Sequence, residues 1–419
     1  MTVGARGRLE VSLPGHVVGH LEYNRNGHLV WRPNAEWEAS GQRPRLGTAF
    51  LRDPGTRSAG GRLLPFFENL LPEMGSDLRF RLAGSYGLAE NDDAGLLAAL
   101  GRDLAWAVEV RPVDVDGNAV AWTTPEHARD TPRIRFALAG MQFKVSMSQA
   151  NDRFALPATG DGGDWIVKFP GRRYPELPRV EEATMKWARA AGFDVPECFA
   201  APRDVVVDAA FGPEADSEEV FIVRRFDRRV DGSKIHQEDL CQVLNLWPTQ
   251  KCGDQPGKRF SLDTVLQVVT DLAGQDQGRE LARRLGFVIA SGNDDAHLKN
   301  WSLQWGAADR PSLTPCYDFV STITWANLHG WDSAAPPRLR LGLGDAQDFS
   351  QVSDSALETL VRKSRQAWAR DEVLQGVEAA LRAWTAVEGD VPEPMRAALR
   401  QHGQHVPLLR ARGAFSGPA

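Results

Sequence analysis

Residues 291–300, SGNDDAHLKN, put two acids, a histidine, a lysine and two amides into one short stretch. Three roles suit such a set. A metal hydrolase would take Asp294, Asp295 and His297 as ligands, but zinc sites need further His or Cys at defined spacing, and none follows nearby. A helix-capping loop would use only Asn293 or Asp294, whose side chain satisfies amides of the next turn. Phosphoryl transfer uses the spacing Asp295-x-x-x-x-Asn300, in which the acid takes the proton of the attacking hydroxyl and the amide holds Mg²⁺. The spacing alone does not choose, because acids and amides co-occur often.

The remaining parts of a phosphoryl-transfer site occur in order. Downstream, LTPCYDF places Asp318 after a short apolar strand, where a second metal-holding carboxylate belongs. Upstream, DWIVKFP alternates as a strand, with Ile166 and Lys168 on one face and Trp165, Val167 and Phe169 on the other. A lysine there is an edge-strand solubiliser or a phosphate ligand, and the likeness to a V-A-I-K strand favours the ligand. A helix expected from about Glu181 to Ala191 offers a carboxylate to pair with Lys168. Glu181 and Glu182 point about 100° apart on a helix, so only one can do so. Before the lysine strand, ALAGMQFK forms a turn at Gly140 whose amides could cap a phosphate. Trp301, next to Asn300, would wall the site.

The elements that must carry these residues follow from the pattern. Residues 8–32 alternate apolar and polar around Asn26-Gly27, a hairpin signal, and predict a small antiparallel sheet. LLPFFENLLPE, DLRFRLAGSYGL and GLLAAL carry helical spacing between residues 63 and 100. TTPEHARDTP, 123–132, reads as a linker. Strands are expected at IRFALAG, FKVSMS, WIVKFP and FIVRRFD. From His236 onward the pattern is mostly helical, ending in two or three amphipathic helices between Ser353 and Arg412. A chain of 419 residues suits two or three domains. No run of 18 apolar residues predicts a membrane span, and no secretory signal precedes the first strand, so a cytoplasmic protein is expected. Four cysteines, spread singly at 198, 241, 252 and 316, fit a reducing compartment. A net charge of −6 argues against extensive sequence-independent nucleic-acid binding by this chain alone. His16, His20 and His28 read as strand-face residues rather than ligands.

Taken together, LPFFENLLPE with YGL, LAGMQFK, WIVKFP, EEATMKWARAAGFDVPE, VRRFDRR, HQEDLCQVL, NDDAHLKNWSL and LTPCYDF resemble the HipA-type Ser/Thr kinases, toxins of bacterial type II toxin–antitoxin systems. The likeness covers about residues 8 to 345. It implies an α/β (α+β) architecture: a small amino-terminal β-rich and helical domain, 1–122, on a two-lobed protein-kinase-like fold. The lobes would be 132–230, with the ATP loop and lysine strand, and a helical carboxy-terminal lobe, 231–419. It also implies roles. Ala139, Gly140, Met141, Gln142 and Lys144 would cover the ATP phosphates and Lys168 would contact them. Arg224, Arg225 and Phe226 would bind adenine mostly through backbone groups, with Gln237 in the nucleotide pocket. Asp295 would be the base, Lys299 would neutralise the transferring group, His297 and Asn300 would flank the phosphates, and Asn300 with Asp318 would hold Mg²⁺. The implied substrate is a protein hydroxyl, on an aminoacyl-tRNA synthetase as the known class. The implied partner is a helix-turn-helix antitoxin of the HipB type, which would link the chain to DNA only indirectly.

Some positions depart from the family pattern. Arg224 stands where Glu is usual, Val180 where Asn is, Phe143 where Glu is, and Ala137 where the prototype carries an autophosphorylated serine. With Ala137 lacking a hydroxyl, Ser146 and Ser148 are the nearest substitutes. Two other readings stay open: a kinase for a small molecule, and a nucleotide-sensing co-repressor without catalysis.

Overall fold

The computed structural model describes residues 8–26, 28–40, 45–114, 116–120, 142–157, 162–207, 218–255, 258–306, 310–329 and 337–415. The expectations placed on Gly27, the 123–132 linker, the IRFALAG strand, Ala137 and the turn residues Ala139, Gly140 and Met141 lie outside these. The chain divides into two units, 1–173 with 201–248, and 174–200 with 249–419.

In the first unit, strands β1 (Arg8–Leu13), β2 (His16–Tyr23), β3 (Leu29–Pro33), β4 (Arg57–Ser58) and β5 (Glu109–Val113) form a sheet in the order β4-β3-β2-β1-β5. The expected hairpin is present: β2 and β3 pair antiparallel from Tyr23↔Leu29, and the Asn24 side chain accepts from the Asn26 and His28 amides at 2.9 and 3.0 Å. Gly19 lets the strands close on Trp31, since a Cβ there would fall 2.3 Å from the indole. Behind the sheet lie short helices α1 (Ala35–Ala39), α2 (Thr48–Arg52) and α3 (Pro65–Glu68), then α4 (Asp77–Ser85) and α5 (Asp93–Leu100). Ser76 and Asp92 cap the last two. Trp31, Phe50, Phe66 and Phe67 pack ring on ring at 5.3–5.9 Å and are nearly fully buried.

A second sheet runs β7-β6-β8-β10-β9, from β6 (Lys144–Ala150), β7 (Arg153–Ala155), β8 (Trp165–Lys168), β9 (Cys198–Pro202) and β10 (Glu219–Arg224). It is followed by β11 (His236–Asp239) and α7 (Leu240–Val243), which begins with a reciprocal Asp239–Gln242 capping box.

The second unit holds α6 (Leu177–Ala190), α8 (Leu262–Ala273), α9 (Gln275–Ser291), α10 (Asp354–Ser364), α11 (Ala369–Val387), α12 (Glu393–His405) and the short α13 (Pro407–Arg410). Helix α6 starts four residues before the expected Glu181, because Pro178 in its first turn presets φ and needs no donor there. Gly286 and Gly376 let α9 and α11 cross closely: a Cβ at either would fall about 2 Å from a backbone carbonyl of the other helix. Trp187 closes this core against Phe287 and Trp384 and donates to the Ala380 carbonyl at 2.8 Å. The part after His236 is less purely helical than the periodicity suggested. Short pairs occur at Asp254–Gln255 with Lys258–Arg259, Ser302–Trp305 with Ser312–Leu313, and Arg338–Leu343 with Ala346–Asp348. Leu339, Leu341 and Leu343 bury one face of RLRLGL, a period of two inside a helical context. Among the described residues no helix is long and apolar enough to cross a membrane.

Candidate active site

The residues singled out in the sequence fall into two groups, one in each unit. In the second unit the group is built on the end of α9. Gly292 closes the helix at φ 64°, its amide bonded to the Val288 carbonyl, and a Cβ there would lie 2.5 Å from Ile323. The loop then turns on its own side chains. Asn293 Oδ1 accepts from the Asp295 amide at 3.1 Å and so turns the loop, but neither Asn293 nor Asp294 caps a helix: the next helical turn, Leu298–Asn300, follows His297 and has no side-chain cap. The Asp294 amide donates to Thr322 Oγ1 at 2.7 Å, and that hydroxyl donates back to the Gly292 carbonyl at 3.2 Å. Asn300 Nδ2 donates to the Asp295 carbonyl at 2.9 Å, and the Leu298 amide to that of Lys251 at 2.9 Å. Tyr317 Oη donates to the Lys299 carbonyl at 2.8 Å, which ties the loop to the segment carrying Asp318. Asp318 sits at φ 54°, a left-handed conformation that aspartate tolerates better than most residues. Asn300 is thus bonded to the Asp295 backbone, and Asp318 lies close enough to Asp295 and His297, and Lys299 to His297, for their charges to act on one another.

Their electrostatics are uneven. Asp294, His297, Lys299 and Asn300 are buried, whereas the Asp295 side chain keeps half its surface in contact with solvent within a recess crowded by protein. Desolvation pushes the Asp295 carboxyl up to about 6; Arg340 and Lys251 oppose the rise, while Asp294 and Asp318 add to it. Burial, aided by Lys251 and Lys299, lowers His297 to about 3, so its imidazole is neutral near pH 7. Its Nδ1 is buried without a hydrogen-bond partner among the described residues. Lys251 and Arg340 were missed by sequence reasoning. The Arg340 guanidinium pairs with Asp295 Oδ1 at 3.4 Å. The alternation in RLRLGL marks Arg340 as outward-facing, but nothing local says that it meets Asp295.

The donors fit a magnesium ion better than zinc. Asp318 lies near enough to Asp295 for their charges to repel, and Asn300 has its amide nitrogen committed to the backbone, which leaves hard oxygen atoms as the donor set. Among the described residues no group of three His, Cys, Asp or Glu side chains is placed to hold a metal ion. Trp301 is buried against Phe319 in the core.

In the first unit, Lys144 and Lys168 are direct cross-strand partners on β6 and β8. Lys168 is buried, its ammonium 5.5 Å from the Phe221 ring centroid. Like charges opposed across a strand pair repel, and an anion between them relieves this. Gln142 lies just before β6, partly exposed. Gln237 on β11 is fully buried, and both its amide atoms lack a partner among the described residues, an arrangement a ligand would satisfy. Arg224 ends β10 with its guanidinium over Trp165, and Phe226 follows, partly exposed. The Arg225 amide donates to the Asp164 carbonyl at 2.8 Å, and its side chain is held by Asp227, Asp103 and Ser146. Burial would raise the Asp227 carboxyl, but the charges and hydrogen bonds of Arg225, with the charge of Arg228, hold it at about 2. Ser146 is therefore no substitute for the missing serine, because its hydroxyl is fully buried between Gly163 and Arg225. In α6 of the second unit, Glu181 is buried, while Glu182 pairs with Lys186 at 2.9 Å on a more open side.

Comparison with known proteins bears on this architecture. The HipA N-terminal domain matches residues 9–111, and the HipA-like C-terminal domain matches 136–384, over half of the chain. A Sinorhizobium fredii protein named "Putative kinase Y4dM" is 33% identical, covering 96% of this chain and 98% of its own. "Putative kinase Y4mE" of the same organism is 26% identical over 85% of each. The α/β fold is shared with a chain of the Shewanella oneidensis MR-1 complex of HipA, HipB and operator DNA, at 21% identity, 96% coverage of both chains and a TM-score of 0.68. The chain belongs to the HipA family.

Proposed function

We propose that the protein is a Mg-ATP-dependent kinase that transfers the γ-phosphoryl group to a serine or threonine hydroxyl of a protein. The observation that carries this is the clustering of Asp295, Asn300 and Asp318 on two loops tied together by Tyr317. Family membership and kinase-named relatives support the reaction class. In this reading the half-exposed Asp295 carboxylate takes the hydroxyl proton, and a proton affinity raised toward neutrality suits a base. Mg²⁺, when bound by Asn300 and Asp318, supplies charge neutralisation on the phosphates. His297, held neutral, offers its imidazole N–H to a phosphate oxygen, and Lys299 balances charge on the transferring group. Lys144, Lys168 and the 139–142 turn hold the phosphates. Arg224 to Phe226 and Gln237 take the base, within a division at 1–122, 132–230 and 231–419.

A HipB-type antitoxin, an aminoacyl-tRNA synthetase as acceptor, growth inhibition and a cytoplasmic setting complete the reading. The antitoxin is supported by the likeness to the Shewanella oneidensis HipA chain, solved in complex with HipB and operator DNA, and the other three rest on membership of the HipA family. Incubating the full chain with γ-labelled ATP, Mg²⁺ and bacterial lysate, then locating phosphosites by mass spectrometry, tests it. Label on protein serine or threonine that is absent with Asp295→Asn supports the proposal. Label confined to small molecules moves the assignment to a small-molecule kinase, and nucleotide binding without transfer moves it to the co-repressor.

A further inference from the structure

Asp103, Arg225, Asp227 and Arg228 meet inside the first unit, each side chain less than a tenth exposed. Asp103 lies in the turn between α5 and β5, more than 120 residues before the other three. Its Oδ1 accepts from Arg225 Nη1 at 3.2 Å and from Arg228 Nη2 at 2.9 Å. Asp227 takes Arg225 Nε and Nη2 at 2.9 and 2.7 Å and Arg228 Nη1 at 2.6 Å. The Leu104 and Trp106 carbonyls accept further guanidinium donors, and the Trp106 amide donates to Asp227 Oδ2 at 3.1 Å. Two positive and two negative charges therefore balance in the interior, where removing one partner leaves a buried charge uncompensated.

The cluster reaches three pieces of the second sheet. Arg225 Nη1 donates to Ser146 Oγ on β6 at 2.9 Å, and Ser146 donates to the Gly163 carbonyl at 3.3 Å. A Cβ on Gly162, just before β8, would fall 2.2 Å from Asp103 Oδ1, so backbone and carboxylate are in direct contact there. Arg225 itself lies in the turn leaving β10. Strands β6 and β8 carry Lys144 and Lys168 face to face, Arg224 ends β10, and Phe226 follows in the turn.

We infer that Asp103 is a positioning residue for the nucleotide. Through Arg225, Ser146 and the Gly162 backbone it fixes the two lysine strands against the turn that receives the base. The amino-terminal region matched as a separate domain is then an integral part of the nucleotide-binding unit. This rests on the kinase reading above and deepens it.

The test is calorimetric titration of the full-length protein with Mg²⁺ and a non-hydrolysable ATP analogue, alongside thermal melts and, where transfer is measurable, KM and kcat. Asp103→Asn is expected to weaken nucleotide binding by about tenfold or more and to raise KM for ATP more than it lowers kcat, as displaced binding groups do. Gly162→Ala, whose methyl presses on the same carboxylate, should shift affinity in the same direction, and so should Ser146→Ala to a smaller extent. These two variants carry the test if Asp103→Asn does not fold. Phe50→Leu, in the ring cluster with Trp31, Phe66 and Phe67, should lower the melting temperature and leave affinity unchanged. Wild-type affinity in Asp103→Asn or, where that variant does not fold, in both others overturns the inference alone. An affinity loss in Phe50→Leu that tracks its loss of melting temperature overturns it as well, because general destabilisation would then suffice. Absence of nucleotide binding by the wild type overturns the kinase reading and this inference with it.

Discussion

The side-chain amide of Asn300 donates to the backbone carbonyl of Asp295 at 2.9 Å. The residue expected to hold the metal is thus oriented by the residue expected to act as base, and the five-residue spacing between them is the span of one hydrogen-bonded turn. Asp294, beside it, is buried, and its backbone amide donates to Thr322 Oγ1.

Asp295→Asn should reduce phosphoryl transfer by orders of magnitude while nucleotide affinity stays within a few-fold, since positioning survives and only proton transfer is lost. Quantitative transfer assays paired with nucleotide titration measure both. Wild-type transfer in Asp295→Asn, with loss in Asp294→Asn, would place the base one residue earlier.

Asp318→Asn retains the tolerance of a left-handed backbone at φ 54° and removes the charge. Nucleotide affinity at saturating Mg²⁺ should fall, and the Mg²⁺ concentration for half-maximal transfer should rise. An unchanged Mg²⁺ dependence removes Asp318 from the metal site.

Gly292→Ala should cost about 1–3 kcal/mol of stability, from a left-handed backbone and from collision with Ile323. The loop that begins there would be displaced, so transfer should fall further than the lost folded fraction explains. Urea unfolding and transfer rates on the same preparations decide it, and a variant as stable and active as wild type would show that the loop does not depend on this turn.

His236 and His402 are buried, each donating its Nε2–H to a backbone carbonyl, and desolvation lowers both from 6.5 to about 4. Between these values the unfolded chain binds protons that the folded chain refuses. Their contribution is intact above about pH 6.5 and is lost as pH falls toward 4, by about 1.4 kcal/mol per pH unit for each histidine. His402→Gln, which can still donate to the Ile289 carbonyl, should flatten the slope of unfolding free energy between pH 6.5 and 5. An unaltered slope would show that His402 is not the group being protonated.

The sequence by itself determined what short-range geometry controls. The Asn24–His28 hairpin, the helix ends at Ser76 and Asp92 and the Asp295-to-Asn300 turn all rest on bonds within a few residues, where backbone geometry leaves few alternatives. Helix α6 begins four residues before the apolar spacing predicts, because Pro178 sits in its first turn. Tertiary structure alone decided which distant groups meet: Arg340 beside Asp295, Asp103 on Arg225, and Lys144 opposite Lys168. It also decided that Ser146 is sealed inside and that His297 is neutral. Such contacts depend on strand register and on burial, both set by how the whole core packs. Side-chain type and local spacing carry no record of either, because the same residue on the same element can face solvent or a buried charge depending on what closes over it.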